Sequence, residues 1–226
     1  TGSNVSLTNL VNNSGVVAAD VTGVGTARSN LEAAGYGGDK AIFGYGNSGS
    51  ASSLTNLVSN SGVVAADVTG VGTARYTLGA ADYGTDKAIF AFGTTGSVTN
   101  LSNLVSNSGV VAADVSGVGT ARNYLAAASY GGDKAIFGYG YAGGNVSMTN
   151  LVTNVGVVGT DVSGVGTARN NLSATGYGGD KAIFSFAGSS NSSTNLVNSS
   201  GVVASDITGV GTGREGASAA GYSFSA

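Results

Sequence analysis

An all-β fold built from tandem repeats is predicted by three observations on this 226-residue chain. The string Gly-Val-Gly-Thr followed by Ala or Gly and then Arg recurs five times, ending at Arg28, Arg75, Arg122, Arg169 and Arg214, with spacings of 47, 47, 47 and 45. The same register carries Leu10, Leu57, Leu104, Leu151 and Leu196, and Asp20, Asp67, Asp114, Asp161 and Asp206, so a whole unit is repeated and not one motif. Within each unit, glycine-containing turn signals cut the chain into short runs of β-type residues. The third observation is composition: 42% hydrophobic residues suffice for a sizeable core even with 40 glycines, and the chain reads as a single domain over residues 1–226.

The third copy shows the elements in order. Runs around Leu104 and over Val110 to Val115 flank Asn107-Ser108-Gly109, a hairpin signal that recurs at Asn13-Ser14-Gly15, Asn60-Ser61-Gly62 and Asn154-Val155-Gly156. Two further runs flank the turn Tyr130-Gly131-Gly132-Asp133. In Lys134 to Tyr139, alternation puts Ala135, Phe137 and Tyr139 on one face and Ile136 and Gly138 on the other, so both faces are apolar or small and the strand is expected to be covered on both sides. The alanine-rich stretch from Thr120 to Gly131 reads as a strand, with a helix capped by Thr120 as the alternative. The missing two residues of the last copy fall between Phe184 and Leu196, so the segment Ala187–Asn195 is read as a shortened loop.

Four short antiparallel strands per 47-residue period match the length of a propeller blade, about 40 to 50 residues. The sequence therefore predicts a five-bladed β-propeller. Its last blade is completed by the N-terminal strands and a C-terminal one that aligns Tyr222-Ser223-Phe224 with Phe184-Ser185-Phe186. The order of Arg122, the Leu-Ala-Ala-Ala run, the turn and Lys-Ala-Ile-Phe-Gly-Tyr-Gly resembles a kelch-type repeat. The near-verbatim Tyr-Gly-Gly-Asp-Lys-Ala-Ile-Phe-Gly-Tyr-Gly units are also similar to tandem repeats in uncharacterised proteins of tailed, particularly marine, bacteriophages. That resemblance implies a virion or extracellular location and carries no activity.

Composition narrows the chemistry. With no Cys or His there is no Cys/His zinc centre, thiol nucleophile or Ser-His-Asp triad, and no cofactor is expected. A net charge of −3 offers no basic field for nucleic acid, and no apolar run is long enough for membrane insertion. The chain begins with Thr1 and not Met, which reads as a processed chain or a piece of a longer one. Gly-Val-Gly-Thr-Ala-Arg lacks the third glycine and the βαβ context of a dinucleotide loop, so it reads as a turn.

All nine basic residues are locked to the repeat: the five arginines plus Lys40, Lys87, Lys134 and Lys181. Nine acids share that register, including Asp39, Asp86, Asp133 and Asp180, and only Glu32, Asp82 and Glu215 do not. Repetition points to structure, because one active site needs one asymmetric constellation. Each Arg (Arg28, Arg75, Arg122, Arg169, Arg214) is expected to donate to an Asp (Asp20, Asp67, Asp114, Asp161, Asp206) of its own or a neighbouring unit. The aromatics Tyr36, Tyr83, Tyr130, Tyr177, Phe43, Phe90, Phe137 and Phe184 are assigned to the core.

Variation between copies marks the candidate ligand site. Tyr76, Tyr124 and Tyr141 depart from the repeat, and with Asn123 they suit sugar stacking and adaptable hydrogen bonding. The functional expectation is a non-enzymatic structural or adhesive module whose partners are surface glycans or other virion or surface proteins, with self-assembly as a further outcome. Alternatives are a multivalent carbohydrate-binding protein and a glycoside hydrolase using Glu32, Asp82 or Glu215.

Overall fold

The computed structural model describes residues 3–187 and 191–221. Twelve strands fall in four sets of three. They are β1 (Glu32–Tyr36), β2 (Lys40–Gly44), β3 (Thr55–Val58), β4 (Gly79–Tyr83), β5 (Lys87–Ala91), β6 (Ser102–Val105), β7 (Ala126–Tyr130), β8 (Lys134–Gly138), β9 (Thr149–Val152), β10 (Ser173–Tyr177), β11 (Lys181–Ala187) and β12 (Asn191–Val197). Each set is an antiparallel meander, β1-β2-β3 through β10-β11-β12. The first hairpin of each is closed by a Tyr–Lys pair such as Tyr130 opposite Lys134. Gly131 and Gly132 take positive φ there, 62° and 79°, the left-handed geometry that glycine reaches without a Cβ penalty. Of the alanine-rich stretch, Ala126–Tyr130 is strand β7, because pairing with β8 satisfies its backbone, and residues 120–125 form neither strand nor helix.

Each sheet packs on the next in sequence: β1 on β4 and β5, β4 on β7 and β8, β7 on β10 and β11. Glycines permit the approach. The Cβ direction at Gly44 points at the Phe90 ring and that at Gly138 at the Phe184 ring. Phe90, Phe137 and Phe184 are fully buried there, each ring edged by the aromatic of the preceding unit, Tyr45, Phe92 or Tyr139. Backbone bonds tie the units at both ends of the strands. At one end Gly37, Gly84 and Gly131 donate to the carbonyls of Asp86, Asp133 and Asp180; at the other Thr77, Tyr124 and Asn171 donate to Asn30, Thr77 and Tyr124. Asn30, Thr77, Tyr124 and Asn171 all hold φ between 50° and 52°, so this column is conformationally uniform although its side chains are not.

The five-bladed β-propeller is corrected by these observations: the described residues form four three-stranded sheets, not five four-stranded blades. A sheet forms where the Tyr-to-Lys hairpin occurs, and that hairpin occurs four times, ending at Lys40, Lys87, Lys134 and Lys181. The N-terminal segment makes only the bridges Thr8–Val21 and Val11–Val17, and among the described residues no sheet joins it to the C-terminal segment. The expected strand Tyr222-Ser223-Phe224 lies outside the described residues.

The expected fourth strand is also absent. Val110 to Val115 touches β6 only through isolated bridges, Ser102–Val115 and Val105–Val111, so five residues of one segment face four of the other. The Asn103 side chain bonds the Ala112 carbonyl at 3.0 Å, taking a backbone acceptor that a ladder partner uses. The shortened loop is largely strand: β11 runs on to Ala187 and β12 starts at Asn191, because removing two residues brings the two strands into one hairpin. Among the aromatics assigned to the core, Phe43 is only part-buried and Tyr177 is exposed, since each sits on an end unit.

Candidate functional site

The most elaborate polar construction is a four-residue cluster repeated between successive units. Arg122 is the clearest copy. Its guanidinium is fully buried and lies over the Phe92 ring, 4.1 Å from the centroid. Nη2 donates to Asn150 Oδ1 at 2.6 Å, Nη1 to the Thr120 carbonyl at 3.1 Å and Nε to the Tyr139 carbonyl at 2.8 Å. Asn150 Nδ2 donates to Asp161 Oδ1 at 2.9 Å, and Asp161 Oδ2 accepts from the Thr120 amide and hydroxyl. The same set is built by Arg28, Asn56, Asp67 and Thr26; by Arg75, Asn103, Asp114 and Thr73; and by Arg169, Asn195, Asp206 and Thr167.

Each of these arginines therefore faces the Asp of the unit that follows, not the one eight residues before it. The direct N–O separations are long, 3.4 Å for Arg28–Asp67, 3.8 Å for Arg75–Asp114, 4.0 Å for Arg122–Asp161 and 3.6 Å for Arg169–Asp206. The tight contact in every copy is the asparagine between them. Sequence reasoning missed it because it carries no charge, yet Asn9, Asn56, Asn103, Asn150 and Asn195 repeat at the same spacing. The end members differ: Asp20 accepts from Asn9 at 2.8 Å on an exposed surface, and Arg214 lies over Phe186 with no ion pair among the described residues.

The electrostatics follow from this packing. Burial pushes the Arg122 guanidinium down to about 10, still far above neutrality. At Asp67, Asp114 and Asp161, burial acts upward but is outweighed by hydrogen bonds from Thr and Asn and by the guanidinium, leaving each carboxyl below its ordinary value. Asp206 is lowered chiefly by its bond from Thr167.

The four candidate ligand residues meet at one end of the sheets. Asn123 and Tyr141 exchange backbone bonds, and the Tyr124 amide donates to the carbonyl of Thr77, the neighbour of Tyr76. Tyr124 and Tyr141 are 37% and 39% exposed, Tyr76 is half-buried, and Asn123 Oδ1 is buried without a hydrogen-bond partner. The surface there presents the Tyr124 and Tyr141 rings for stacking, while the Asn123 amide lies beneath it.

The acids outside the repeat do not share an element. Glu32 opens β1 and is pushed up to about 7 by burial, Asp82 lies in β4 and accepts from Ser129 Oγ at 2.5 Å, and Glu215 is exposed after Arg214. Among the described residues no group of three or more Asp or Glu is placed to hold a metal ion.

Two columns of apolar side chains face outward. Val16, Val63, Val110, Val157 and Val202 are 58–65% exposed, and Val21, Val68, Val115, Val162 and Ile207 are 45–48% exposed. Isolated exposed aliphatic residues are ordinary, but nine valines and one isoleucine in register are a recurring surface property of the repeat.

Compared with protein-family models and with curated proteins, the chain matches none. The kelch and bacteriophage resemblances, and the viral setting they implied, are accordingly withdrawn: the similarity rests on short runs of Gly, Ala and Tyr that any close-packed β repeat favours.

Proposed function

We propose that this all-β, repeat-built chain is a non-enzymatic structural or adhesive module. The observation that carries this reading is the pair of exposed aliphatic columns, held in register by four copies of a buried polar cluster. Rigid internal chemistry and a periodic apolar exterior suit attachment to another surface through many weak contacts acting together. The test is a triple variant, Val63→Ser, Val110→Ser and Val157→Ser, assayed for retention on protein-coated and glycan-coated beads. Retention should fall at least tenfold with an unchanged circular dichroism spectrum. Equal retention removes the columns from the function.

A second reading, carbohydrate binding, is favoured specifically by the convergence of Tyr76, Asn123, Tyr124 and Tyr141. These residues come from the segments leading into β4 and β7 and from the β8–β9 connection, so this reading places one site per chain. A glycan titration with a stoichiometry near one, abolished by Tyr124→Ala, supports it. Binding above one equivalent opposes this single site and favours the multivalent carbohydrate-binding alternative.

A further inference from the structure

Tyr124 combines a strained backbone with an exposed ring. Its φ of 52° lies in the left-handed region, which a bulky side chain enters at a cost and which asparagine tolerates. The same column holds asparagine at Asn30 and Asn171. The other aromatics with positive φ are covered: Tyr45, Phe92 and Tyr139 lie fully buried under Arg75, Arg122 and Arg169, and Phe186 lies under Arg214. Packing offsets their strain. Tyr124 is 37% exposed, so packing offsets less of its own. Uncompensated strain of this kind concentrates at positions that hold ligands.

The surroundings of the ring are neutral. The connections that carry the site, residues 76–78, 92–101, 123–125 and 139–148, contain no charged residue. All ten charged side chains from Asp67 to Asp161 are bonded within the fold. Arg75 and Arg122 are fully buried, and the lysines pair with their neighbouring aspartates at the hairpins Tyr83–Lys87 and Tyr130–Lys134, the opposite end of the sheets. A charged ligand would therefore give up water without gaining a counter-ion. The site offers instead the Tyr124 ring, the Tyr141 ring, 39% exposed, and uncharged neighbours such as the half-buried Asn171, whose amide donates to the Tyr124 carbonyl at 3.0 Å.

We infer that the ligand of this site is an uncharged hexopyranose, its apolar C–H face laid on the Tyr124 and Tyr141 rings. The inference rests on the carbohydrate reading above and narrows it to neutral glycans. Stacking buries the C–H face of the sugar, while its hydroxyls stay in water or bond neutral side chains around the rings. Phosphorylated, sulfated, uronic and sialic acid sugars are disfavoured. Binding without an ion pair also carries no ionic term, so added salt leaves it unchanged. Tyr124 is then a residue whose replacement relaxes the backbone and removes the ligand together.

The experiment screens the intact chain against cellohexaose, mannohexaose and lactose as neutral probes and against hexagalacturonate and heparin as acidic ones, then titrates the tightest binder at about 50 and 500 mM NaCl. A neutral probe is expected to bind best, with a Kd that agrees within about twofold between the two salt concentrations. Tyr124→Asn and Tyr141→Thr copy the residues that neighbouring units carry at the same places, Asn171 and Thr94, so the fold accommodates both. Each should weaken binding at least tenfold, and Tyr124→Asn should melt no lower than the wild type. Binding confined to the acidic probes, or weakened tenfold by salt, overturns the inference and leaves the carbohydrate reading standing. A neutral probe bound equally by both variants sits elsewhere, and a lowered melting temperature in Tyr124→Asn assigns the ring to packing; either overturns the inference. No binding to any probe overturns the inference and the carbohydrate reading together.

Discussion

At the scale of single residues, the asparagine between each Arg and Asp decides how the cluster holds. Asn150 uses its carbonyl on Arg122 and its amide on Asp161 and the Gly159 carbonyl, so one small neutral side chain satisfies three groups. The direct Arg122–Asp161 separation of 4.0 Å contributes less, with Asp161 31% exposed to water at its side chain. Asn150→Ala leaves a buried guanidinium nitrogen and a carbonyl unpaired, at a cost of about 2–4 kcal/mol. Arg122→Ala strands its partners and empties a fully buried volume, costing about 3–5 kcal/mol. Asp161→Ala should cost about 1–2 kcal/mol, since water reaches its place. Urea unfolding at pH 7 checks the order Arg122 first, Asn150 next and Asp161 last. An unchanged Arg122→Ala midpoint, or an Asp161→Ala loss equal to that of Asn150→Ala, contradicts it.

At the scale of elements, close approach of sheets is governed by one position in the second strand, occupied by Gly44, Ala91, Gly138 and Ser185. The second unit already carries alanine there, Ala91, with its aromatic pair Phe92–Phe137 still in contact at 5.5 Å. Gly44→Ala should therefore change stability by under about 1 kcal/mol. Gly44→Val adds branching that the Phe90 ring cannot avoid, and should cost about 1–3 kcal/mol in thermal or urea unfolding. A valine variant as stable as the alanine one shows that the sheets are not in contact there. The hairpin strands were legible in the sequence because turn glycines and β-branched residues act locally. The segment Val110 to Val115 has the sequence pattern of a strand but does not form one, because its fate depends on Asn103, a neutral side chain whose reach to the Ala112 carbonyl arises only once β6 is placed. The same locality explains the blade count: five arginine motifs were visible, but sheets follow the Tyr-to-Lys hairpin, of which there are four. At the candidate ligand site the tyrosines were legible as departures from the repeat. Their meeting through Thr77 and the Asn123–Tyr141 bridge was not, because it is made by backbone atoms.

At the scale of the whole molecule, the carboxyls act on stability in opposite senses, and the balance sets how the fold responds to pH. Asp67, Asp114, Asp161 and Asp206 titrate below their ordinary value in the folded chain, so their contribution is fully present above that value and is lost as pH falls through the lowered one. They generate a decline on the acid side, below about pH 4. Glu32 works the other way. Its carboxyl is raised from 4.5 to about 7 by burial, so the folded chain binds a proton that the unfolded chain releases across that interval. Stability from this group is present below its unfolded value, declines as pH rises towards 7 and is flat above it. The full linkage corresponds to at most about 3 kcal/mol. The group is closely surrounded yet keeps part of its surface open at a cavity of about 420 Å³, so the lower part of that range is expected. Unfolding free energy should therefore peak between about pH 4 and 5, and not at neutrality. Glu32→Gln should remove the fall between pH 5 and 7 while leaving the acid decline intact. Chemical denaturation of both proteins from pH 3 to 8 measures this directly: parallel curves for the wild type and Glu32→Gln refute the assignment, and curves that separate only above pH 5 establish Glu32 as the group whose ionisation weakens the fold.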